Sequence, residues 1–409
     1  MREMAGAERF NPGRKPKNMR VQSFILVLIL IAAASGARGE AAPAPLADPA
    51  VFRTILCRQG DEKVHTYRIP GLATSPKGTL LAVFDMRHTS SADLPGDIDV
   101  GLMRSTDDGR TWSKAQVILD FDKNEKDSRG NGVGDPTILI DRKTGHILVV
   151  ALWSKGNRAW NGSGPGLEPH ETGQFVLTRS TDDGVTWSKP VNITKKIAGR
   201  DPKWRLLFNG PGSGIQLRDG TLLIPAQFRD AQGSPHSCFL FSGDGGESWT
   251  ISPAAIPLTP PTSEAQIAEL ADGSLLLSMR NESKAGQRVW AKYTWKEDLS
   301  KGKWSEPWLT APDPTCMASL LMHPSGALLF SNPNSASKRV ALTIRSSSDD
   351  GATWSAGRLL DPRGSMYSCM TVLKDGTIGV LYEGVDEKNL LTLHFAKFPL
   401  QWVKAAHQP

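Results

Sequence analysis

Tyrosine and cysteine are scarce in this chain, with four of each in 409 residues. The cysteines, Cys57, Cys238, Cys316 and Cys369, stand far apart. No C-x-x-C pair occurs, so the usual spacing of a zinc or thiol-redox centre is missing. An oxidising compartment would allow one or two disulfides, with a pairing the sequence leaves open. The eight histidines are scattered and never form H-E-x-x-H, so they give no metal site, and no cofactor motif stands out. A long stretch of helical period is also lacking. The cluster Gly210-Pro211-Gly212-Ser213-Gly214 has no helix after it and does not read as a phosphate loop.

Excess charge disappears once the N-terminus is set aside. The net charge is +6, but residues 1–40 hold seven Lys/Arg against three Asp/Glu, which leaves 41 against 39 in the remainder. The basic balance therefore gives no reason to expect a nucleic-acid partner. Lys15, Lys17 and Arg20 precede the apolar run Phe24 to Ala34, and small residues follow to about Ala42. That order is the basic, apolar and cleavage region of a secretory signal peptide, expected over residues 1–43. Met19 is an alternative start. The run is short for a membrane span. A secreted or periplasmic protein is expected, without stable membrane insertion after cleavage; a retained N-terminal anchor is the alternative.

What is present is a repeat. Ser105-Thr106-Asp107-Asp108-Gly109-Arg110-Thr111-Trp112 returns at 180–187, 242–249 and 347–354 as S-x-D-x-G-x-[TS]-W. Repetition of this kind marks an array of like supersecondary units. Each copy lies between β-rich apolar runs, and its residue types suit a hairpin turn. The Asp accepts hydrogen bonds from its own turn. The Gly supplies positive φ, and the Trp packs the turn on a neighbouring sheet. These Asp residues are expected to be structural and remote from any active site. Asp298 to Trp304 falls in the widest gap and reads as a decayed copy, giving Trp intervals of 75, 62, 55 and 50 residues. Further turns are expected at Asp219-Gly220, Asp272-Gly273, Ser325-Gly326 and Asp375-Gly376. With 39 Gly and 28 Pro, the reading is an all-β, loop-rich domain over residues 50–403.

The repeat resembles the Asp box of sialidases and related β-propellers, which implies a six-bladed β-propeller. Further segments carry the resemblance. Tyr67-Arg68-Ile69-Pro70 resembles the [F/Y]-R-I-P motif of sialidases, whose Arg binds the substrate carboxylate. Arg280, at the end of Ser274 to Asn281, and Arg339, after Ser331-Asn332-Pro333, resemble the second and third arginines; Arg345 is the rival for the third. Tyr367, in Gly364-Ser365-Met366-Tyr367-Ser368, resembles the nucleophile segment, with two residues inserted after the Gly. Glu264 resembles the glutamate partner of that tyrosine, with Glu269 and Glu383 as fallback choices. Asp93 resembles the acid/base, in competition with Asp97 and Asp99, and Arg87 a contact to a sugar hydroxyl. Asp135 resembles a position near the N-acyl group and could equally cap a turn.

The chemistry is coherent. Guanidinium forks bind a carboxylate in two-pronged fashion that Lys cannot copy. A phenol avoids the repulsion that an anionic nucleophile would meet at a carbon bearing a carboxylate, but its pKa near 10 demands a base. Sialidases are accordingly an exception to the two-carboxylate pattern of glycosidases. The resemblance implies an exo-α-sialidase acting with retention on sialylated glycoproteins, glycolipids or oligosaccharides. Alternatives are a trans-sialidase or anhydro-sialidase, a hydrolase of a related nonulosonic acid, and a non-catalytic carbohydrate-binding propeller.

Overall fold

Apolar strands, many of them seven to nine residues long and joined by Gly-containing turns, build most of the structure. The computed structural model describes residues 48–121 and 131–405. The expected signal peptide lies outside them. Among the described residues the one α-helix is Leu400–Lys404, and no helix is long and apolar enough to cross a membrane.

The strands form five hydrogen-bonded sheets that make six blades. Blade one is Thr66–Thr74, Leu80–Arg87, Ile98–Ser105 and Gln116–Leu119, an antiparallel meander. Blade two runs from Val133–Ile140 to Val191–Asn192. Blade three centres on Leu222–Arg229 and Pro235–Ser242, and blade four on Leu275–Asn281 and Gln287–Thr294. Blades five and six share the strand Arg358–Val372. Its residues through Gly364 pair with Val340–Ser347, and those from Ser365 pair with Ile378–Val385. The N-terminal strand Phe52–Arg58 then supplies the outer strand of blade six by pairing with Leu391–Phe398. The first and last strands among the described residues thus close the ring.

Each neighbouring pair of blades encloses its own apolar core. Val83 and Val149 share the core of blades one and two, Leu152 and Ile224 that of two and three, and Leu223 and Leu277 that of three and four. Trp290 and Phe330 join four to five, Leu329 and Val380 five to six, and Leu72 and Leu381 six to one. Burial on both faces explains why central strands such as Leu80–Arg87 are buried at every position. All four cysteines are buried as free thiols, so neither of the disulfides that an oxidising compartment would allow is formed. They belong to separate interfaces; Cys57 Sγ sits 3.5 Å from Met103 Sδ, and Cys369 Sγ faces the Leu72 carbonyl.

The four repeats join the third to the fourth strand of blades one, two, three and five. In the first, Asp107 accepts from the Thr111 N–H at 2.9 Å and from its hydroxyl at 2.6 Å, and the Gly109 N–H donates to Ser105 Oγ. The other copies repeat this pattern. Each turn also grips the preceding blade. Arg104 Nε donates to the Asp183 carbonyl, Arg179 to the Gly245 carbonyl, and Trp112 packs edge-on against Phe395. The decayed copy fills the same place in blade four, where Asp298 accepts from the Ser300 N–H and Trp304 Nε1 reaches the Pro253 carbonyl of blade three.

Gly109 has φ +82°, and a Cβ there would fall within the Phe395 ring. Gly109→Ala is expected to cost about 1–3 kcal/mol through overpacking at that interface, measured by denaturant unfolding.

Turns from first to second strand, such as Asp219-Gly220 and Asp375-Gly376, lie at the same end of the ring as the repeats, because alternate strands reverse direction. The opposite end holds the starts of the first strands and the ends of the second strands.

Candidate active site

Four first strands carry a β-bulge at that opposite end. Register shifts fall between Arg68 and Gly71, Gly134 and Thr137, Thr262 and Ala265, and Ser365 and Ser368. A bulge bends its strand and re-aims a side chain. Here the bulges contain Arg68, Asp135, Glu264 and Tyr367 at their edges or within. Pro70 and Pro136 suit them because proline cannot donate to a ladder. Ile69 and Asp135 adopt φ of 60° and 57°. The two residues inserted before Tyr367 are absorbed in the same way.

Tyr367 is at the centre of the arrangement. Its hydroxyl donates to Glu264 Oε1 at 2.5 Å and accepts from Arg280 Nη1 at 3.0 Å. Arg68 lies 5.5 Å and Arg339 5.9 Å from the centre of its ring. Arg280 also donates to Glu264 at 2.9 Å, and its Nε lies 2.9 Å from Glu282 Oε1. Arg339 donates to the Thr315 carbonyl at 3.1 Å. Burial raises the Tyr367 pKa well above its ordinary value, and the Glu264 charge adds to it, against the pull of Arg280 and Arg68. The phenol therefore rests neutral.

Glu383 organises the far side. Its carboxylate accepts from Arg68 Nε at 3.1 Å, Arg68 Nη2 at 3.3 Å, the Ile69 N–H at 2.8 Å and the Tyr367 N–H at 3.3 Å. Against the cost of burial, its charge keeps Arg68 firmly protonated. It is thus the holder of Arg68 while Glu264 is the carboxylate on the phenol. Glu269 is elsewhere, 2.9 Å from exposed Arg218. Arg345 is buried and donates to Asn332 Oδ1 and Asn334 Oδ1, whereas Arg339 faces Tyr367.

Asp93 lies on the segment between Leu80–Arg87 and Ile98–Ser105, 2.7 Å from Arg87 and 3.4 Å from Arg68. Asp99 pairs with His88 instead, at 2.9 Å. Arg87 is 1% exposed, with its remaining donors on Asp85 and the Ser91 carbonyl. Burial pushes the Asp85 carboxyl up to about 6 despite Arg87. Asp135 is held by a 2.9 Å hydrogen bond from its N–H to Asp85 Oδ1. Burial and the charges of Asp85, Asp93 and Glu264 raise its carboxyl well above the ordinary range.

Asp93, Asp135, Glu264, Arg280, Glu282 and Tyr367 line a cavity of about 260 Å³. Its other wall is apolar, from Leu94, Leu152, Trp160 and Phe208. The sequence reading missed Asp85 and Glu282. Both stand two residues from an assigned arginine; strand alternation places Asp85 on the face of Arg87, and Glu282 follows the end of the strand that carries Arg280.

The chain matches the family described as BNR repeat-like domain over residues 78–380. It is 43% identical over 343 residues to a sialidase of Bacteroides fragilis (strain YCH46), covering 79% of this chain and 61% of that protein. A sialidase of Micromonospora viridifaciens is 35% identical over 415 residues, covering 95% and 61%. The chain thus spans about three fifths of the length of both. The solved structure of a Hadza microbial sialidase superposes with a TM-score of 0.77 at 42% identity, over 85% of this chain and 68% of that one. A leech intramolecular trans-sialidase shares the fold, with a TM-score of 0.72 at 21% identity. Repeat, propeller and sequence identity converge: this chain belongs to the sialidase family with BNR repeats.

Proposed function

We propose that the protein is a secreted or periplasmic exo-α-sialidase that releases terminal α-linked sialic acid with retention, through a tyrosyl-enzyme intermediate. The observation that carries this reading is the 2.5 Å hydrogen bond from the Tyr367 hydroxyl to Glu264 within reach of three arginines. The sugar carboxylate is taken by Arg68, Arg280 and Arg339. Each charge-assisted bond contributes about 1.5–3 kcal/mol, which selects an acidic sugar over a neutral one. Glu264 removes the phenolic proton as the oxygen attacks the anomeric carbon. Asp93 protonates the departing glycan oxygen, then deprotonates the water that frees the product. Two inversions at one carbon give retention. Asp135, whose carboxyl is shifted toward the protonated form by burial, is a hydrogen-bond donor for the sugar near its N-acyl side.

Release of a fluorescent aglycone from an α-sialoside, with the sugar product followed by NMR, tests this reading. The expected result is free sialic acid that appears first as its α-anomer. Absence of turnover by folded protein across the acidic to neutral range would overturn the reading. An anhydro sugar, or transfer to an added glycan, would overturn hydrolysis as the outcome.

A further inference from the structure

The Asp93 carboxylate is held by a cation that the proposed reaction needs for something else. Arg68 spends Nε and Nη2 on Glu383, and its remaining nitrogen, Nη1, lies 3.4 Å from Asp93 Oδ1. The same Asp93 oxygen is 2.7 Å from Arg87 Nη1. Arg87 cannot leave, because Asp85 holds its Nε and Nη2 at 3.2 Å and 2.9 Å and its side chain is 1% exposed. Asp93 can leave, since 75% of its side chain is exposed. We propose that Arg68 is shared in turn, first with Asp93 and then with the substrate carboxylate, and that Arg87 is the positioning residue that keeps Asp93 in the site after the exchange. The proposal rests on the sialidase reading.

The exchange has a chemical consequence. The charged groups facing Asp93 are Arg68 on Thr66–Thr74, Arg87 and Asp85 on Leu80–Arg87, Asp135 on Val133–Ile140 and Arg280 on Leu275–Asn281. Desolvation by the site opposes ionisation of Asp93, but Arg87 and then Arg68 overcome it and hold the carboxyl below its ordinary value. A carboxyl held this low is the wrong form for a general acid. An arriving carboxylate takes Arg68 away and adds a negative charge beside Asp93. Both changes favour the protonated form. Asp93 then takes a proton from solvent when the anionic sugar binds, and it becomes an acid only in the complex that needs one. The advantage in direct ion pairs lies with the substrate carboxylate, which is taken by three guanidiniums where Asp93 pairs with two.

Calorimetric titration of the wild-type chain with 2,3-didehydro-2-deoxy-N-acetylneuraminic acid tests this. That probe keeps the carboxylate and cannot be cleaved. Runs at one to two pH units above the ordinary aspartate value of about 3.9, in buffers of different ionisation enthalpy, report protons taken up per ligand. The expected result is uptake approaching one proton in wild type, lost in Asp93→Asn, with affinity for the probe raised in that variant because its competitor for Arg68 is gone. Asp85, which burial pushes up to about 6, also titrates in this range, and its share persists in Asp93→Asn. Binding without uptake in wild type, or equal uptake in both proteins, would overturn the proposal while leaving the sialidase reading in place. Absence of both probe binding and sialoside turnover by folded wild type would overturn the reading itself.

Discussion

Tyr367→Phe is expected to lower kcat/KM for an α-sialoside by about 10⁴-fold, the scale associated with loss of an activated nucleophile and its base. The variant removes one oxygen. That oxygen donates to Glu264 and accepts from Arg280, while the ring rests among Ile69, Cys316 and Met317. The ring contacts survive the change, so the unfolding transition should move little. Arg68 and Arg339 still flank the ring face, so binding of an uncleavable sialic acid analogue should stay within a few-fold of wild type. Steady-state kinetics and calorimetric binding on the same preparation separate the two effects. Full activity of the variant would sink the nucleophile assignment. Equal loss of binding and turnover would instead make the hydroxyl a binding group, because only interactions stronger in the transition state act on kcat alone.

The propeller was legible because its chemistry is local. A turn that needs an acceptor, a positive-φ residue and an aromatic anchor within eight positions writes itself into the chain. Asp108, Asp183, Asp350 and Gly245 occupy the same left-handed position in four copies, which explains the choice of Asp or Gly there. Five such turns serve six blades for a topological reason. In blade six the outer strand is Phe52–Arg58, from the other end of the chain, so no third-to-fourth turn exists to carry a copy. Whether the cysteines are bridged was not legible, because widely spaced cysteines read the same whether they are bridged or packed singly in separate cores.

The site was legible where a bulge leaves a mark in the sequence, as at Arg68-Ile69-Pro70 and Asp135-Pro136. It was illegible where the partner is distant. Glu383 meets Arg68 across 315 positions of chain, and nothing near residue 383 announces that role. Reading Glu383 as a second choice for the base placed the right residue in the site with the wrong partner. Arg87 likewise depends on Asp85 and on the conformation of the segment after it. The choice between Arg339 and Arg345 turned on neighbours. Arg345 enters the core toward two asparagines, while Arg339, six residues earlier, stays at the ring of Tyr367.

The anchoring role of Glu383 predicts the largest loss of stability from a single change at the site. Glu383→Ala is expected to lower the unfolding free energy by about 3–5 kcal/mol, as for removal of one partner from a buried ion pair. The Glu383 side chain is 2% exposed and that of Arg68 is 12% exposed. Removal of the carboxylate leaves a buried guanidinium with exposed Asp93 as its only other acid among the described residues, and strips the Ile69 and Tyr367 N–H groups of their acceptor. Both bulges lose the group that ties blade one to blade six. Glu269→Ala is the control, because its carboxylate pairs with an arginine that is 59% exposed; a change within about 1 kcal/mol is expected there. Glu383→Gln keeps the shape but can offer only one acceptor oxygen. It should lose less stability than Glu383→Ala, and its kinetic defect should fall on KM more than on kcat, because Arg68 and not Tyr367 has lost its counter-charge. Urea unfolding of the three variants beside wild type gives the stability order. A Glu383→Ala protein as stable as Glu269→Ala would mean that Asp93 or solvent compensates Arg68, and that the bulges are held by the backbone alone.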